Sequence, residues 1–529
     1  MDRPQYQRSL RPAGGWRRAA AFAPGARPLS TAPNAGLSPV GLFGAAPPVT
    51  DGLLSRSNIV KALLGALIVG IVAGIPLPYM LAVFGGVGLL VAMFIAPVVG
   101  LYAVLVAVAF SPTFGLESAS FSISAFEPLL LLVFLAWLLQ GITRHRIMLP
   151  REGLFGALIL LLVILLLSGG FAWSYPLAIK ETLKWLLMVL AYIYTRATIR
   201  DDRATRALLT ALFLTGSAEA LMGAVQFIVP LGPPAFAVGP FIRAHGMFGQ
   251  PNPFAGYLGT ILPLALAMML VPHPGRFRTI ATGGFLLVGL GILLSVSRGA
   301  WLGLAVSLSI MALAWSPRAR ALVVPLVAGL ALFIGLALAG VLPASLATRI
   351  TSATENFGVF DVRTVTLTSE NFAVVERMAH WQAGWGMLND YPFLGVGPGN
   401  YPAAYEEYFI APWKDPLGHA HNYYLNMAAE AGVPGLLALL LVLGLTFRGL
   451  WRRVQAADAT HTSGDGGDEP ARPGLDLPLS PVLARALALG LIGSFAMFSI
   501  HNLFDNLLVH GVGIQIGVLL GLVGGVSNR

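Results

Sequence analysis

Cysteine is absent from this chain of 529 residues, and charged residues make up only 11% of it. The absence of cysteine excludes disulfides, thiolate nucleophiles and cysteine-based zinc sites. The shortage of charge excludes a soluble globular protein of this length, because such a protein needs a charged surface. Hydrophobic residues reach 56% and the mean hydropathy is +0.76, so the composition is that of a membrane protein.

Long apolar runs recur from Asn58 to the end of the chain. A helix needs about 20 residues to cross hydrocarbon, and there are about fourteen runs near that length. Some neighbouring runs are almost fused. We therefore predict an all-α polytopic membrane protein with about 12–14 transmembrane helices and a large periplasmic loop subdomain.

The segments between the apolar runs divide the chain. Residues 1–57 are rich in Pro, Gly, Ala and Arg without apolar periodicity, which predicts a disordered basic arm. No apolar segment follows its arginines at the distance that a signal peptide requires. After the arm we predict a first part of the bundle (58–341), a large loop (342–420), a transmembrane helix (421–447), a low-complexity cytoplasmic linker (448–480) and C-terminal helices (481–529).

The loops differ in their content of basic residues. If the arm is cytoplasmic and the helices alternate, the cytoplasmic loops are rich in Arg, whereas outer loops 111–127 and 169–176 contain no Lys or Arg. This is the positive-inside pattern, and it places loop 342–420 on the outer side. The net charge of +9 therefore reflects membrane topology and does not indicate nucleic acid as a partner.

A few arginines lie on the outer side, against this pattern. Arg243 begins RAHGMFGQPNPFAGYL, Arg298 lies in the tight turn SVSRGAW, and Arg377 lies in an amphipathic helix of the outer loop. Anion binding is the simplest reason to retain them, because a guanidinium group donates a planar fork of N–H groups to phosphate. Two alternatives remain open. The Arg243 side chain could simply extend to the lipid headgroups, and Arg298 could serve as a cap of the tight turn. Asn252 is expected to shape a helix start.

Two lysines, Lys180 and Lys184, lie in the outer half of the sixth apolar run with Glu181 beside them. The lysines share a helix face, and Glu181 can pair with Lys184 at i,i+3. The sequence leaves two readings open. The cluster either neutralises itself inside the bundle or adds positive charge near a bound phosphate.

Ionisable residues begin the apolar run after the large loop, in HAHNYYLNMAAEAGVPG. Such residues at the edge of hydrocarbon indicate a functional site. His419 and His421 could bind a metal, but no third ligand stands at a recognisable spacing. We favour a histidine that accepts a proton or donates a hydrogen bond. Glu430 either pairs within the bundle or belongs to the site, and HNLFDN near the C-terminus is a further candidate wall.

Four sequence blocks together resemble the O-antigen ligase and polymerase superfamily of bacterial inner membranes. The most specific are the elbow DYPFLGVGPGN, followed after a short gap by HNYYLNMAAEAGVPG. The other two are RAHGMFGQPNPFAGYL and SRGAWLGL, and ERMAHWQAGWGMLN leads into the elbow. The resemblance covers residues from about Leu154 to Leu450 in order.

The resemblance implies a metal-independent, inverting glycosyltransferase of the multi-span C type that needs no cofactor. It would take a glycan from undecaprenyl pyrophosphate at the periplasmic face. The acceptor would be lipid A-core, another lipid-linked repeat unit or a related molecule. Mapped onto this sequence, His421 would be catalytic, and Arg243, Arg298 and Arg377 would bind the donor pyrophosphate. We predict supporting roles for His419, Asn422, Glu430, His380, Lys180 and Lys184.

Two other classes of protein remain open from the sequence. A transporter or flippase of lipid-linked oligosaccharides also needs many spans and internal charge. Internal symmetry between two halves would favour it, and none is evident. A non-catalytic membrane scaffold would leave the outer arginines without a purpose.

Overall fold

The structure is a computed structural model. It describes residues 56–72, 77–110, 115–118, 121–124, 126–143, 149–272, 275–321, 323–342, 360–368, 371–462 and 479–523. The chain divides into two units, residues 1–76 and 77–529. The described part of the first unit is helix α1 (Arg56–Val72). The predicted basic arm therefore lies outside the described residues, except that residues 56 and 57 already belong to α1.

The second unit is a bundle of helices with two short antiparallel hairpins. The hairpins are β1 (Gly115–Ser118) with β2 (Phe121–Ser124), and β3 (Ala237–Val238) with β4 (Phe241–Ile242). The helices are α2 (Leu77–Ile95), α3 (Pro97–Phe110), α4 (Phe126–Thr143), α5 (Gly153–Gly169), α6 (Tyr175–Thr198), α7 (Asp202–Ile228), α8 (Pro251–Leu270), α9 (Gly275–Leu294), α10 (Arg298–Trp315), the single turn α11 (Pro317–Arg320), α12 (Val323–Leu338), α13 (Phe372–Asp390), α14 (Tyr401–Tyr408), α15 (Tyr423–Thr462), α16 (Pro481–His501) and α17 (Val512–Val523).

Many of these helices are long and apolar enough to cross a membrane. Among the described residues, seven meet both criteria: α4, α7, α8, α9, α10, α16, and α15 as far as Asp458. Shorter apolar stretches lie in α1, α3, α5, α12 and α17. The predicted class, an all-α polytopic membrane protein, is confirmed.

Helix α8 lies at the centre of the bundle, and almost all of its residues are buried. Glycines allow its neighbours to approach closely, as small residues do in membrane bundles. A Cβ on Gly259 would overlap the Met497 side chain of α16, and a Cβ on Gly490 would touch the backbone of Leu264. In the same way, Gly517 of α17 lies against the Met188 carbonyl of α6.

Helix α15 differs from the predicted span 421–447. It continues to Thr462 and is interrupted at Gly432, whose φ is 68° and ψ is −176°. Residues 448–462 of the predicted linker are therefore helical, and 463–478 lie outside the described residues. The helix continues because one face stays packed: Leu450 and Val454 are buried, and Arg453 donates to the Leu522 carbonyl.

The large loop holds α13, the Gly-rich elbow that runs from Tyr391 to Asn400, and α14. The predicted order of helix and then turn is confirmed. A small core of its own forms where Met387, Tyr401 and Tyr405 pack together. This subdomain lies against the start of α15, where the elbow's Val396 N–H donates to the Ala429 carbonyl.

Candidate functional site

Two loop segments meet at the end of the bundle that carries the large loop. One precedes α15, and the other joins α16 to α17. The Tyr423 N–H donates to the Asn502 carbonyl at 2.8 Å, which ties the two together. His421 has a φ of 53°, a left-handed conformation that is uncommon for a residue other than glycine and is often found at functional sites.

These segments bring together His419, His421, His501 and Asp505, which we name the His–Asp cluster. The same Asp505 carboxylate oxygen lies 3.7 Å from His419 Nε2 and 3.7 Å from His421 Nδ1. These distances are too long for hydrogen bonds, so the contacts are electrostatic. The His419 and His421 rings meet edge to face with centroids 4.4 Å apart.

Charge in the cluster is set by burial and by neighbouring groups. Burial alone would raise the pKa of Asp505, but the close His421 and His419 rings and the positive charge of Arg377 outweigh it and hold that pKa well below its ordinary value. Burial lowers the pKa of His419 to about 4. At neutral pH the cluster therefore combines an ionised carboxylate with a neutral His419.

His421 is the candidate base of this cluster. Neither of its ring nitrogens has a hydrogen-bond partner among the described residues. Buried polar atoms are nearly always paired, so an unpaired imidazole at a cluster of charges suits a group that receives a proton from a substrate. Trp381 Nε1 donates to the His421 carbonyl at 3.4 Å and so fixes the backbone rather than the ring.

Asn252 connects the His–Asp cluster to Arg243. Its Nδ2 donates to the second Asp505 oxygen at 2.6 Å, and its Oδ1 accepts from Arg243 Nη2 at 3.2 Å. The hydroxyl of Ser297 also donates to this Oδ1, at 2.9 Å, and lies 3.4 Å from His501 Nε2. Asn252 does stand at the start of α8 as expected, but its side chain bridges the arginine and the carboxylate.

The loop that carries Arg243 is held by two polar residues of α7. Gln226 Oε1 accepts from the Gly246 N–H at 2.7 Å, and Glu219 accepts from the Met247 N–H at 2.9 Å. The sequence interpretation did not include either residue. Both could have been identified from the sequence, because each is a polar side chain within an apolar run.

The other two arginines approach the cluster from different helices. Arg298 is the first residue of α10 and directly follows Ser297, which contacts the cluster. Arg377 lies near the start of α13, and its positive charge acts on Asp505, His419 and His501. The fold thus brings the predicted Arg243, Arg298 and Arg377 to one region around His421.

Two predicted supporting residues, Asn422 and Glu430, have evident structural contacts. The Asn422 side chain caps α15 by accepting the N–H groups of Tyr424 and Leu425, both at 3.1 Å. Glu430 accepts the elbow N–H groups of Gly399 at 2.8 Å and Tyr401 at 3.1 Å. Glu430 therefore anchors the elbow to α15, which was one of the two readings left open.

His380 lies behind His421, with ring centroids 5.5 Å apart. It stacks on Tyr405 at 4.8 Å, and its Nδ1 lies 3.1 Å from the Tyr401 hydroxyl. Burial lowers the pKa of His380 to about 3, assisted by the charges of His421 and His419. A neutral, tightly packed ring of this kind supports the position of His421.

Lys180 and Lys184 lie outside the His–Asp cluster. Lys184 Nζ is paired with Glu181 at 2.6 Å, and both lysines line a cavity of about 260 Å³ between α4, α6 and α17. This pairing matches the self-neutralising reading. The residues that line this cavity do not include members of the His–Asp cluster.

A metal could also fit the cluster. Ligand atoms of His419, His421 and Asp505 all lie within 4.8 Å of one another. The sequence shows no third ligand at a recognisable spacing from the two histidines, and the fold brings a candidate, Asp505, from a distant part of the chain. Two imidazoles and one carboxylate are ligands that divalent transition metals accept.

The sequence model of the O-antigen ligase family matches residues 283–440. Over this region the chain is similar to the O-antigen ligase superfamily. The match includes Arg298, Arg377, His419 and His421, whereas Arg243 and Asp505 lie outside it. No curated protein matches the chain.

Proposed function

We propose that this protein transfers a glycan from undecaprenyl pyrophosphate to an acceptor hydroxyl during surface polysaccharide biosynthesis. The acceptor would be lipid A-core, another lipid-linked repeat unit or a related molecule. Similarity to the O-antigen ligase superfamily supports a role in lipid-linked glycan transfer. One structural observation carries the proposal: hydrogen bonds connect the Arg243 guanidinium through Asn252 to Asp505, whose other oxygen lies 3.7 Å from both His419 and His421.

The proposed reaction is a single displacement that inverts the anomeric carbon. The acceptor oxygen attacks that carbon, the bond to the pyrophosphate oxygen breaks, and its electron pair leaves with the diphosphate. His421 takes the proton of the hydroxyl. Arg243, Arg298 and Arg377 stabilise the negative charge that develops on the leaving group. Asp505 holds the histidines and stabilises the imidazolium that forms, as the carboxylate does in a catalytic triad.

We propose that the reaction needs no metal and no cofactor, because the diphosphate leaving group is already activated. Two contacts support a metal-free cluster. Asn252 already donates to one Asp505 oxygen, and the positive charge of Arg377 acts on the same carboxylate. A divalent ion bound by His419, His421 and Asp505 is the competing mechanism. Activity that survives a chelator supports the metal-free form.

We place the protein in the bacterial inner membrane with its site toward the periplasm. The supporting observation is the distribution of arginines, which are frequent in the loops at one end of the bundle and rare at the other. The His–Asp cluster lies on the same side as the described part of the large loop, and the arginines on this side are the exceptions assigned to the site.

The decisive experiment reconstitutes the purified protein with a lipid-pyrophosphate glycan and an acceptor, without nucleotide and with a chelator. We expect product from the wild type and none from His421→Ala at equal protein levels. His461→Ala, at the far end of α15, serves as the matched control and should retain activity. The competing proposal is a flippase. Movement of the glycan lipid across vesicles without any product would favour that function and reject the transferase.

A further inference from the structure

The cavity that holds Lys180 and Lys184 is separate from the His–Asp cluster. Its lining includes Glu127, Lys180, Glu181, Lys184, Trp185 and His510. Trp185 stacks on Tyr423 with ring centroids 6.5 Å apart, and Tyr423 follows His421 by two residues in the chain. The Trp185–Tyr423 contact therefore lies between the cavity and the segment that carries His421.

The cavity lies where two apolar helices begin. Glu127 lies in the first turn of α4, and His510 lies just before α17 begins. Two apolar helices thus start at this height, which marks the boundary between hydrocarbon and water. Helix α6 passes the same level at Lys184, and the deeper lining residues Leu187 and Met188 are apolar.

The charges in the cavity are balanced. Two lysines face two carboxylates, and the Lys184–Glu181 pair is 2.6 Å long. Glu127 accepts the Ser124 N–H at 2.8 Å. Burial and the charge of Lys184 lower the pKa of His510, so this ring adds no charge at neutral pH. A diphosphate, with several negative charges, would meet two carboxylates here. A ligand with one phosphate and one ammonium could place the phosphate against the lysines and the ammonium against a carboxylate.

We propose that this cavity binds the headgroup of a zwitterionic phospholipid that carries a primary ammonium, as in phosphatidylethanolamine. Its phosphate lies against Lys180 and Lys184, and its ammonium donates to Glu127. The glycerol and the first methylenes lie over Leu187 and Met188. Binding at this site does not depend on glycan transfer, so the two proposals can fail separately.

Native mass spectrometry of the full-length protein in detergent tests the site. The protein is titrated in parallel with dimyristoyl phosphatidylethanolamine, phosphatidylglycerol and phosphatidylcholine. We expect one retained phosphatidylethanolamine and at least about tenfold weaker retention of the other two, because neither offers an ammonium N–H to Glu127. Equal retention of all three lipids, or displacement of the lipid by inorganic phosphate alone, would overturn the proposal.

Two variants separate recognition from misfolding. Glu127→Gln should weaken phosphatidylethanolamine about tenfold and leave phosphatidylglycerol unchanged, because only the ammonium partner is lost. Lys184→Gln should weaken both lipids. Lys414→Gln, a change at an exposed lysine of the large loop, is the matched control and should alter the binding of neither lipid.

If Lys184→Gln does not fold, Glu127→Gln still tests the proposal, since it leaves the Lys184–Glu181 pair intact. An unchanged lipid preference in Glu127→Gln would refute the assignment.

Discussion

At the scale of single residues, Asp505 connects the histidines of the candidate site to Asn252. Each carboxylate oxygen of Asp505 has different partners. One oxygen lies near the His419 and His421 rings, and the other accepts a hydrogen bond from the Asn252 side-chain amide. The carboxylate is thus held on one side while it orients two imidazoles on the other. Pre-organisation of this kind is what a proton-transfer site requires.

Asp505→Asn tests this arrangement while it preserves side-chain volume. The amide can still contact Asn252, but it cannot stabilise a charge on His421. We expect the kcat of glycan transfer to fall by about 100-fold or more, with little change in KM for the lipid-linked donor. A parallel loss of kcat and thermal stability, or a rise in KM alone, would show that Asp505 acts in another way.

The role of Asp505 could not be predicted from the sequence. HNLFDN was recognised as a candidate wall, but Asn252 and Asp505 lie in distant segments, and no local spacing reports their contact. His421 and the three arginines could be proposed because ionisable residues next to apolar runs stand out by composition. Their common location depends on how α8, α10, α13 and α15 pack, which patterns within single helices do not contain.

His380 makes the stability of the fold depend on pH. Its pKa is lowered to about 3 in the folded protein from an ordinary value of 6.5. An unfolded chain binds a proton at His380 below 6.5, whereas the folded chain does not. Stability is therefore complete above pH 6.5 and is lost as pH falls toward 3, by up to a few kcal/mol. His380→Gln should flatten the fall of the thermal unfolding midpoint between pH 6.5 and 4. Identical slopes in both proteins would contradict this assignment.

At the scale of elements, the break in α15 allows the elbow to dock. Gly432 has a φ of 68° and a ψ of −176°, a backbone region that is essentially restricted to glycine. A Cβ at this position would collide with the Phe393 carbonyl of the elbow. The elbow in turn donates two N–H groups to Glu430. The same short segment therefore sets both the direction of α15 and the position of α13 beside His421.

Gly432→Ala should consequently destabilise the protein by at least about 2 kcal/mol, through backbone strain and loss of elbow docking. Gly444→Ala is the matched control in the same helix, because no atom lies within 4 Å of its added Cβ. That change should be neutral or stabilising by about 0.5–1 kcal/mol. Thermal unfolding midpoints of the two variants in one detergent provide the comparison. Equal effects at the two positions would show that the break has no structural role.

Which helices and strands could be predicted from the sequence depends on the length and pattern of their apolar residues. The helices could be located from apolar runs because a helix needs about 20 predominantly apolar residues to cross the hydrocarbon core. The extension of α15 to Thr462 was missed because its last turns are polar on one face and packed on the other. The short hairpins were missed too, since two to four residues per strand give no detectable alternation.

At the scale of the whole molecule, the proposed chemistry depends on which end of the bundle faces the cytoplasm. Helix α15 connects the two ends directly. The part after the break at Gly432 continues for 30 residues to Thr462, about 45 Å at 1.5 Å per residue, which exceeds the roughly 30 Å of the hydrocarbon core, so we expect its two ends in different compartments. His419 and His421 of the His–Asp cluster lie just before the start of α15, and Arg448, Arg452 and Arg453 lie near its end. Basic residues at the inner end are what the positive-inside pattern requires.

The absence of cysteine makes this orientation directly measurable, because one introduced thiol is the only one present. Lys414→Cys lies in the exposed large loop, and Gln455→Cys is exposed near the far end of α15. We expect an impermeant maleimide to label Lys414→Cys in cells with a permeabilised outer membrane, and Gln455→Cys only after lysis. The opposite pattern would put the arginines and His421 in the cytosol. A glycan donor exposed at the periplasmic face could not reach them there, and the transferase mechanism would have to be abandoned.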